Sequence, residues 1–349
     1  MLNQKGGVGK TTTVVNLAAA LAAADHRVCV IDLDPQSHLT LHLGIDALDA
    51  PNPRTAYDLL LDPDCVADEV IVTARPNLDL IPSEVDLAGA ETELAVTPDR
   101  QRILSPKFST VADRYDFVFI DCPPSLGLLA LNALSLAREV FVPMQAHFLA
   151  LQGVGKLLAT VGLVCQSVNP LLRVTGIVLC MHEGQTTLAR EVVADLDEFF
   201  EQARDQTVPW RDCRVLRPAI RRNIKLAEAP SFGKTIFDYA PWCAGAQDYR
   251  KLAQRLLADS SAAAMTQEAE EPAPVADQAA RVSEAPAALE PDEEPPSSDA
   301  TESEPVSEPD AEPAPQTSTL LAGDEPPAAA AVIEPTQSRE GQPDWTGDA

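Results

Sequence analysis

Residues 5–12 read Lys5-Gly6-Gly7-Val8-Gly9-Lys10-Thr11-Thr12, and this stretch decides the fold. Glycines at 6, 7 and 9 let successive backbone N–H groups turn inward around phosphate oxygens. Lys10 is placed to reach β- and γ-phosphates, and the Thr11 hydroxyl to sit on Mg²⁺. The general pattern is G-x-x-x-x-G-K-[ST]; here the loop takes a variant form, with a second lysine, Lys5, at its start. The segment Thr12–Ala24 is apolar and alanine-rich, so the loop feeds a helix whose N-terminus faces the anion. The expected ligand is a nucleotide's phosphate chain with Mg²⁺, cradled by Gly6, Gly7, Val8, Gly9, Lys10, Thr11 and Thr12.

Upstream of the loop, only Met1 and Leu2 precede the Asn3-Gln4 pair. Two residues fall short of a strand of five or six. The expectation is a first strand truncated at the N-terminus, with a true start upstream of Met1. In such a sheet that strand would be central, so its loss would expose ladder groups on two neighbours.

Downstream, apolar runs alternate with helix-period segments. Arg27–Leu33, Phe117–Asp121, Glu139–Pro143 and Arg173–Met181 read as buried strands. Thr12–Ala24, Arg100–Asp113, Leu126–Ala137, Ala150–Ser167 and Thr186–Ala203 read as helices. Apolar strands alternating with helices predict an α/β fold: one P-loop domain with a mainly parallel sheet covered by helices on both faces. In such sheets the ligand sits at the carboxyl ends of the strands.

The net charge of −27 divides unevenly over the 349 residues. Residues 260–349 hold 21 acidic and 2 basic residues, and are rich in Pro, Ala, Glu and Ser. Such a segment cannot bury enough apolar surface to offset ordering entropy, so it is expected to be a disordered acidic tail. Residues 1–259 have the length of one large α/β domain. The seven cysteines show no C-x-x-C spacing, which argues against a zinc or redox site and fits a reducing cytosol. No apolar run reaches about 18 residues. The expected location is cytoplasmic, with no membrane partner.

Two acidic motifs close strands. Asp32-Leu33-Asp34-Pro35-Gln36 ends Arg27–Leu33, and Asp32 and Asp34, two apart, project from the same side. Asp121-Cys122-Pro123-Pro124 ends Phe117–Asp121. A strand-terminal Asp beside a phosphate loop is the usual place for a Mg²⁺-linked carboxylate, although alone such an Asp is as often a helix cap.

Taken with Glu228-Ala-Pro-Ser-Phe-Gly233-Lys234, these motifs resemble the ParA/Soj branch of the ParA/MinD ATPases, bacterial partition proteins with a deviant Walker A loop. The resemblance covers roughly residues 1–257. It implies a weak basal ATPase stimulated by a ParB-like activator, an ATP-bound homodimer, nonspecific binding of double-stranded DNA, and association with the nucleoid. It implies that Lys5 reaches across the dimer to the partner's phosphates, that Lys10 holds the β/γ-phosphates, and that Asp34 orients the attacking water. Thr11 and Asp121 would hold the metal. A cation delivered in trans would stabilise transition-state charge.

Departures stand beside the matches. Ser37-His38 follows Asp-Pro-Gln where the family usually has Gly-Asn, and Ser37 restricts the backbone there. Gln145-Ala146-His147 replaces a run ending in an acidic residue; His147 reads as a pH switch or as an ordinary loop residue. Arg211, Arg214, Arg217, Arg221, Arg222, Lys225 and Lys234 cluster within 24 positions. Arg222-Asn223 and Lys225 match family residues that contact DNA phosphates, and Arg221 takes the place of a usual Pro. The expected DNA contacts are therefore Arg221, Arg222 and Lys225, giving sequence-independent, salt-sensitive affinity. No aromatic residues interleave as a base-stacking platform would need.

Two other readings compete. One is a MinD-like or other ParA-like ATPase positioning a membrane-linked or protein cargo; the membrane-associated form would need a basic amphipathic C-terminal helix, where this chain is acidic. A reductase like the nitrogenase iron protein would need cysteines bridging a cluster; Cys122 has no second cysteine placed to match.

Overall fold

The strand Val28–Asp32 (β1) is buried at all five positions, and its alternate residues feed opposite faces. Val28 and Val30 join one apolar cluster with the helix Lys10–Ala22, while Cys29 and Ile31 join the other. Period-two alternation with apolar residues at every position is what a strand covered on both sides requires.

The computed structural model describes residues 1–46 and 53–270. The remaining strands are Val72–Arg75 (β2), Leu78–Ile81 (β3), Phe117–Asp121 (β4), Glu139–Met144 (β5), Arg173–Leu179 (β6) and Arg214–Leu216 (β7). Four of them pair in the order β2-β3-β1-β4 and three in the order β5-β6-β7. All pairings are parallel except β2 with β3. The expected mainly parallel sheet, with helices on both faces, is thus the fold.

The two groups of strands meet where the sequence offers too few residues. The Met1 ammonium donates to Ile120 O of β4 at 2.7 Å, and Leu2 N donates to Phe141 O of β5 at 3.0 Å. Met1 and Leu2 are buried. Two residues therefore occupy the slot between β4 and β5 and satisfy one ladder group on each neighbour, without forming a strand.

Several expected elements shift. The helix expected over Arg100–Asp113 shrinks to Leu104–Ser109. Pro106 is the reason: proline is tolerated only in a helix's first turn, so the helix can begin no more than about a turn before it. The last helix, Ala244–Glu270, runs through the expected domain boundary at 259. The expected disordered tail lies outside the described residues from 271 onward. No helix among the described residues is long and apolar enough to cross a membrane.

Candidate nucleotide site

The phosphate loop turns through two left-handed glycines, Gly7 at φ 70° and Gly9 at φ 95°. Gly9 caps the helix Lys10–Ala22. A Cβ at Gly9 would stand 3.3 Å from both Cβ and Sγ of Cys180, so glycine is required there for conformation and for space. A Cβ at Gly6 or Gly7 would meet nothing within 4 Å, which leaves their side of the loop open to an anion. Ten of the thirteen residues of the helix are buried, so its N-terminus, with its unpaired N–H groups, is fixed by the core.

The strand ends bring the carboxylates to this loop. Asp32 and Asp121 are register partners at the ends of β1 and β4. Thr11 Oγ1 donates to Asp121 Oδ2 at 2.5 Å, while Asp121 Oδ1 is buried with no hydrogen-bond partner. Burial pushes the Asp121 carboxyl above the usual carboxylate range; the Thr11 hydrogen bond, the N-terminal ammonium and Lys10 oppose the rise, and Asp34 adds to it. A buried carboxylate oxygen with no partner, beside a threonine hydroxyl, is a donor set suited to Mg²⁺. Lys10 is buried as well.

Asp32 and Asp34 have different surroundings. Asp32 accepts from Thr40 N at 3.0 Å, Thr40 Oγ1 at 2.8 Å and Asp34 N at 3.1 Å. Burial and the Asp121 charge raise its pKa, against those hydrogen bonds. Its acceptor sites are spent on shaping the turn. Asp34 keeps one acceptor on Gln36 N at 3.0 Å, and its backbone carbonyl takes the Ser83 hydroxyl at 2.9 Å. Ser37 lies at φ 53°, so the restriction expected from replacing glycine falls on a left-handed residue.

Lys5 is held by side chains. Its N–H donates to Asn3 Oδ1 at 2.9 Å, and its Nζ lies 2.7 Å from His147 Nε2. Asn3 in turn donates to Pro143 O, and Gln145 to Gly7 O at 3.3 Å. Cys122 is buried and is not presented at a surface where a second subunit's cysteine would meet it.

The basic segment begins with β7, which pairs with β6, and most of its cations are paired. Arg221 clamps the buried Asp248 through Nε at 2.9 Å and Nη2 at 2.7 Å. Arg222 meets Glu183 at 2.6 Å and Lys225 meets Glu228 at 2.7 Å. Arg217 pairs with Asp197 and Arg214 with Asp259. Arg221, with its backbone N–H also on Asp248, is tied into the fold as Arg222 and Lys225 are not. Lys225 Nζ lies 5.7 Å from the Tyr239 ring centroid, and Phe232 stacks on Tyr239 at 5.1 Å. This aromatic pair lies beside one cation of the segment, Lys225.

Two residues not foreseen in the sequence join the modules. Asn16, buried in the phosphate-loop helix, accepts from Ile236 N at 2.8 Å. Arg75 donates to Leu43 O and Gly233 O, both at 3.2 Å. A signal for Asn16 is present in the sequence: it is the one amide in an otherwise apolar, buried stretch of helix.

A Gly-rich loop on a buried helix, a hydroxyl–carboxylate pair and strand-end acids define a Mg²⁺-dependent P-loop ATPase. Residues 1–174 match a family model described as an AAA domain. The chain is 42% identical over 257 residues to the sporulation initiation inhibitor protein Soj of Bacillus subtilis (strain 168), covering 74% of this chain and 96% of that protein. It is 41% identical over 258 residues to the chromosome partitioning protein ParA of Caulobacter vibrioides (strain NA1000 / CB15N), covering 73% and 91%. A crystal structure of a cobyrinic acid a,c-diamide synthase from Mycobacterium smegmatis, with bound ATP analog and magnesium, is 36% identical. It superposes with a TM-score of 0.60 over 73% of this chain and 91% of that one. The chain belongs to the ParA/Soj family of chromosome-partitioning ATPases. Its cofactors are ATP and Mg²⁺.

Proposed function

We propose that this partition ATPase pairs through ATP into a sandwich dimer, binds duplex DNA without regard to sequence, and is released when a ParB-like activator speeds hydrolysis. Lys10 and the loop N–H groups of Gly6 to Thr12 hold the phosphates. Thr11 Oγ1 and the unpartnered Asp121 oxygen hold the metal, which when bound neutralises phosphate charge. Asp34 orients the attacking water, and Lys5 is delivered to the partner's phosphates, where it stabilises transition-state charge. Hydrolysis is slow because that cation arrives only with a second subunit.

Arg222 and Lys225 carry the DNA contact, since Arg222 is exposed and Lys225 partly so, and each exchanges a surface carboxylate for a phosphate on binding. Arg221 contributes by anchoring the segment. The observation that most directly supports nucleotide control of this surface is the Ile236 N to Asn16 Oδ1 bond at 2.8 Å. It ties the segment carrying the basic residues to the helix that begins at the phosphate loop. Fluorescence anisotropy with unrelated duplexes tests the reading. The ATP-analogue form should bind all of them alike and lose affinity steeply with salt, while the ADP form binds weakly. A strong preference for one sequence, or equal affinity with ADP, would overturn it.

A further inference from the structure

Lys5 does not project freely from the phosphate loop. It lines a small cavity of about 50 Å³ with His147, floored by Val142, Met144, Val154 and Leu157, and its Nζ lies 2.7 Å from His147 Nε2. An ammonium has three donors and no acceptor, so at this distance the imidazole nitrogen accepts; its ring is neutral, with the proton on Nδ1. Of the residues lining the cavity, Lys5 and His147 are the two that titrate, and the polar remainder are the amides of Asn3 and Gln145. Asn3 fixes the Lys5 backbone through its own hydrogen bond, and Gln145 fixes Gly7. The turn after β5 thus grips the loop at Gly7 through Gln145 and the lysine at its tip through His147.

We propose that His147 is a positioning residue for Lys5: in the single subunit it holds the ammonium in cis, and ATP-dependent pairing must break that bond before Lys5 reaches the partner. This rests on the trans role of Lys5 set out above. The bond costs pairing because the same ammonium cannot serve His147 in cis and the partner's phosphates in trans. The bond is partly exposed, so its release is worth about three- to tenfold in the dimer dissociation constant.

The test measures that constant by sedimentation with a slowly hydrolysed ATP analogue, for the full chain. His147→Ala should pair about three- to tenfold more tightly than the wild type. His147→Gln retains a side-chain acceptor and should restore wild-type pairing. In a Lys5→Ala background, His147→Ala should change nothing, because the partner it releases is gone. Equal or weaker pairing by His147→Ala, or pairing by His147→Gln as tight as that of His147→Ala, overturns the inference while leaving the role of Lys5 intact. Wild-type pairing by Lys5→Ala alone overturns the role of Lys5 itself.

Discussion

Gly44 and Gly233 meet backbone to backbone. A Cβ on Gly44 would stand 2.8 Å from Gly233 O, and one on Gly233 would stand 2.7 Å from Gly44 Cα. Both glycines are left-handed, at φ 71° and 61°. Gly44 follows the helix His38–His42, which hangs from Asp32 through Thr40; Gly233 closes the turn Ala229–Phe232 after the basic segment. Gly44→Ala should therefore cost about 1–3 kcal/mol, from strain and from the clash. It should also reduce the dependence of DNA affinity on nucleotide. Denaturant melts and DNA titrations with ATP analogue and ADP read the two effects; an undisturbed variant would show that the two backbones do not press on each other.

Asp121→Asn should separate stability from function. The native carboxylate is disfavoured by burial, so a neutral isostere that still accepts from Thr11 relieves that cost. The nucleotide-free protein should gain about 1 kcal/mol in a denaturant melt, while Mg²⁺-dependent hydrolysis collapses. Lower stability of the nucleotide-free variant would contradict the account of Asp121.

Ser37 occupies the left-handed region at φ 53°, and its hydroxyl is buried without a partner. Ser37→Gly should stabilise the protein by about 0.5–1 kcal/mol, since glycine adopts this conformation without strain. Calorimetry would show a raised melting temperature; a lowered one would mean that Ser37 makes an interaction worth more than the strain.

Acid should weaken the fold through His42. Burial first, and then the nearby Arg75, hold its pKa down at about 4, below the ordinary value of about 6.5. A group depressed in this way contributes stability that is whole above about pH 6.5 and is lost as pH falls toward 4. The loss reaches about 3 kcal/mol when complete. His42→Gln should flatten that limb of the stability–pH curve. The same steep limb in both proteins would assign acid sensitivity elsewhere.

Arg221 and Arg222 should behave differently despite being neighbours. Arg221→Ala removes the guanidinium from the buried Asp248, which keeps only the backbone N–H of residue 221, and should destabilise by about 1–3 kcal/mol. Arg222→Ala removes a surface pair and should leave the melting temperature within a degree or so of wild type. It should weaken binding to all duplexes alike and lower the log–log salt slope by about one for each phosphate left without its arginine. Equal loss of stability in both variants would refute the distinction.

The strands of the central sheet are legible in the sequence where apolar pattern and burial coincide. β1 and β4 are apolar at nearly every position, and the acids that end them mark the ligand side. The β2–β3 hairpin is not legible: its strands are four residues each, and Asp79 interrupts the second. That aspartate is answered across the strands by the Thr73 hydroxyl at 2.8 Å, a partner seen only in register. β7 hides inside the charge cluster because three residues give no period. The basic segment reads as free charge for a related reason. The carboxylates that pair Arg214, Arg217, Arg221 and Arg222 come from Asp259, Asp197, Asp248 and Glu183, positions that the chain order scatters and the fold gathers. The phosphate loop is legible in kind because its chemistry is local, while the restraint on Lys5 comes from a residue 142 positions away.

The packing of Cys180 against Gly9 gives the molecule a built-in reporter. Six of the seven cysteines are buried and Cys165 is half-buried, and burial pushes the Cys180 thiol up to about 11, so its thiolate is scarce in the folded state. Its sulfur also lies within reach of the Thr13 hydroxyl on the phosphate-loop helix. A maleimide can reach it only when the loop and that helix part from β6. The rate at which Cys180 is alkylated therefore counts the openings of the nucleotide cradle. Ligand that closes the cradle should slow that clock in proportion to its occupancy, without any label having been introduced.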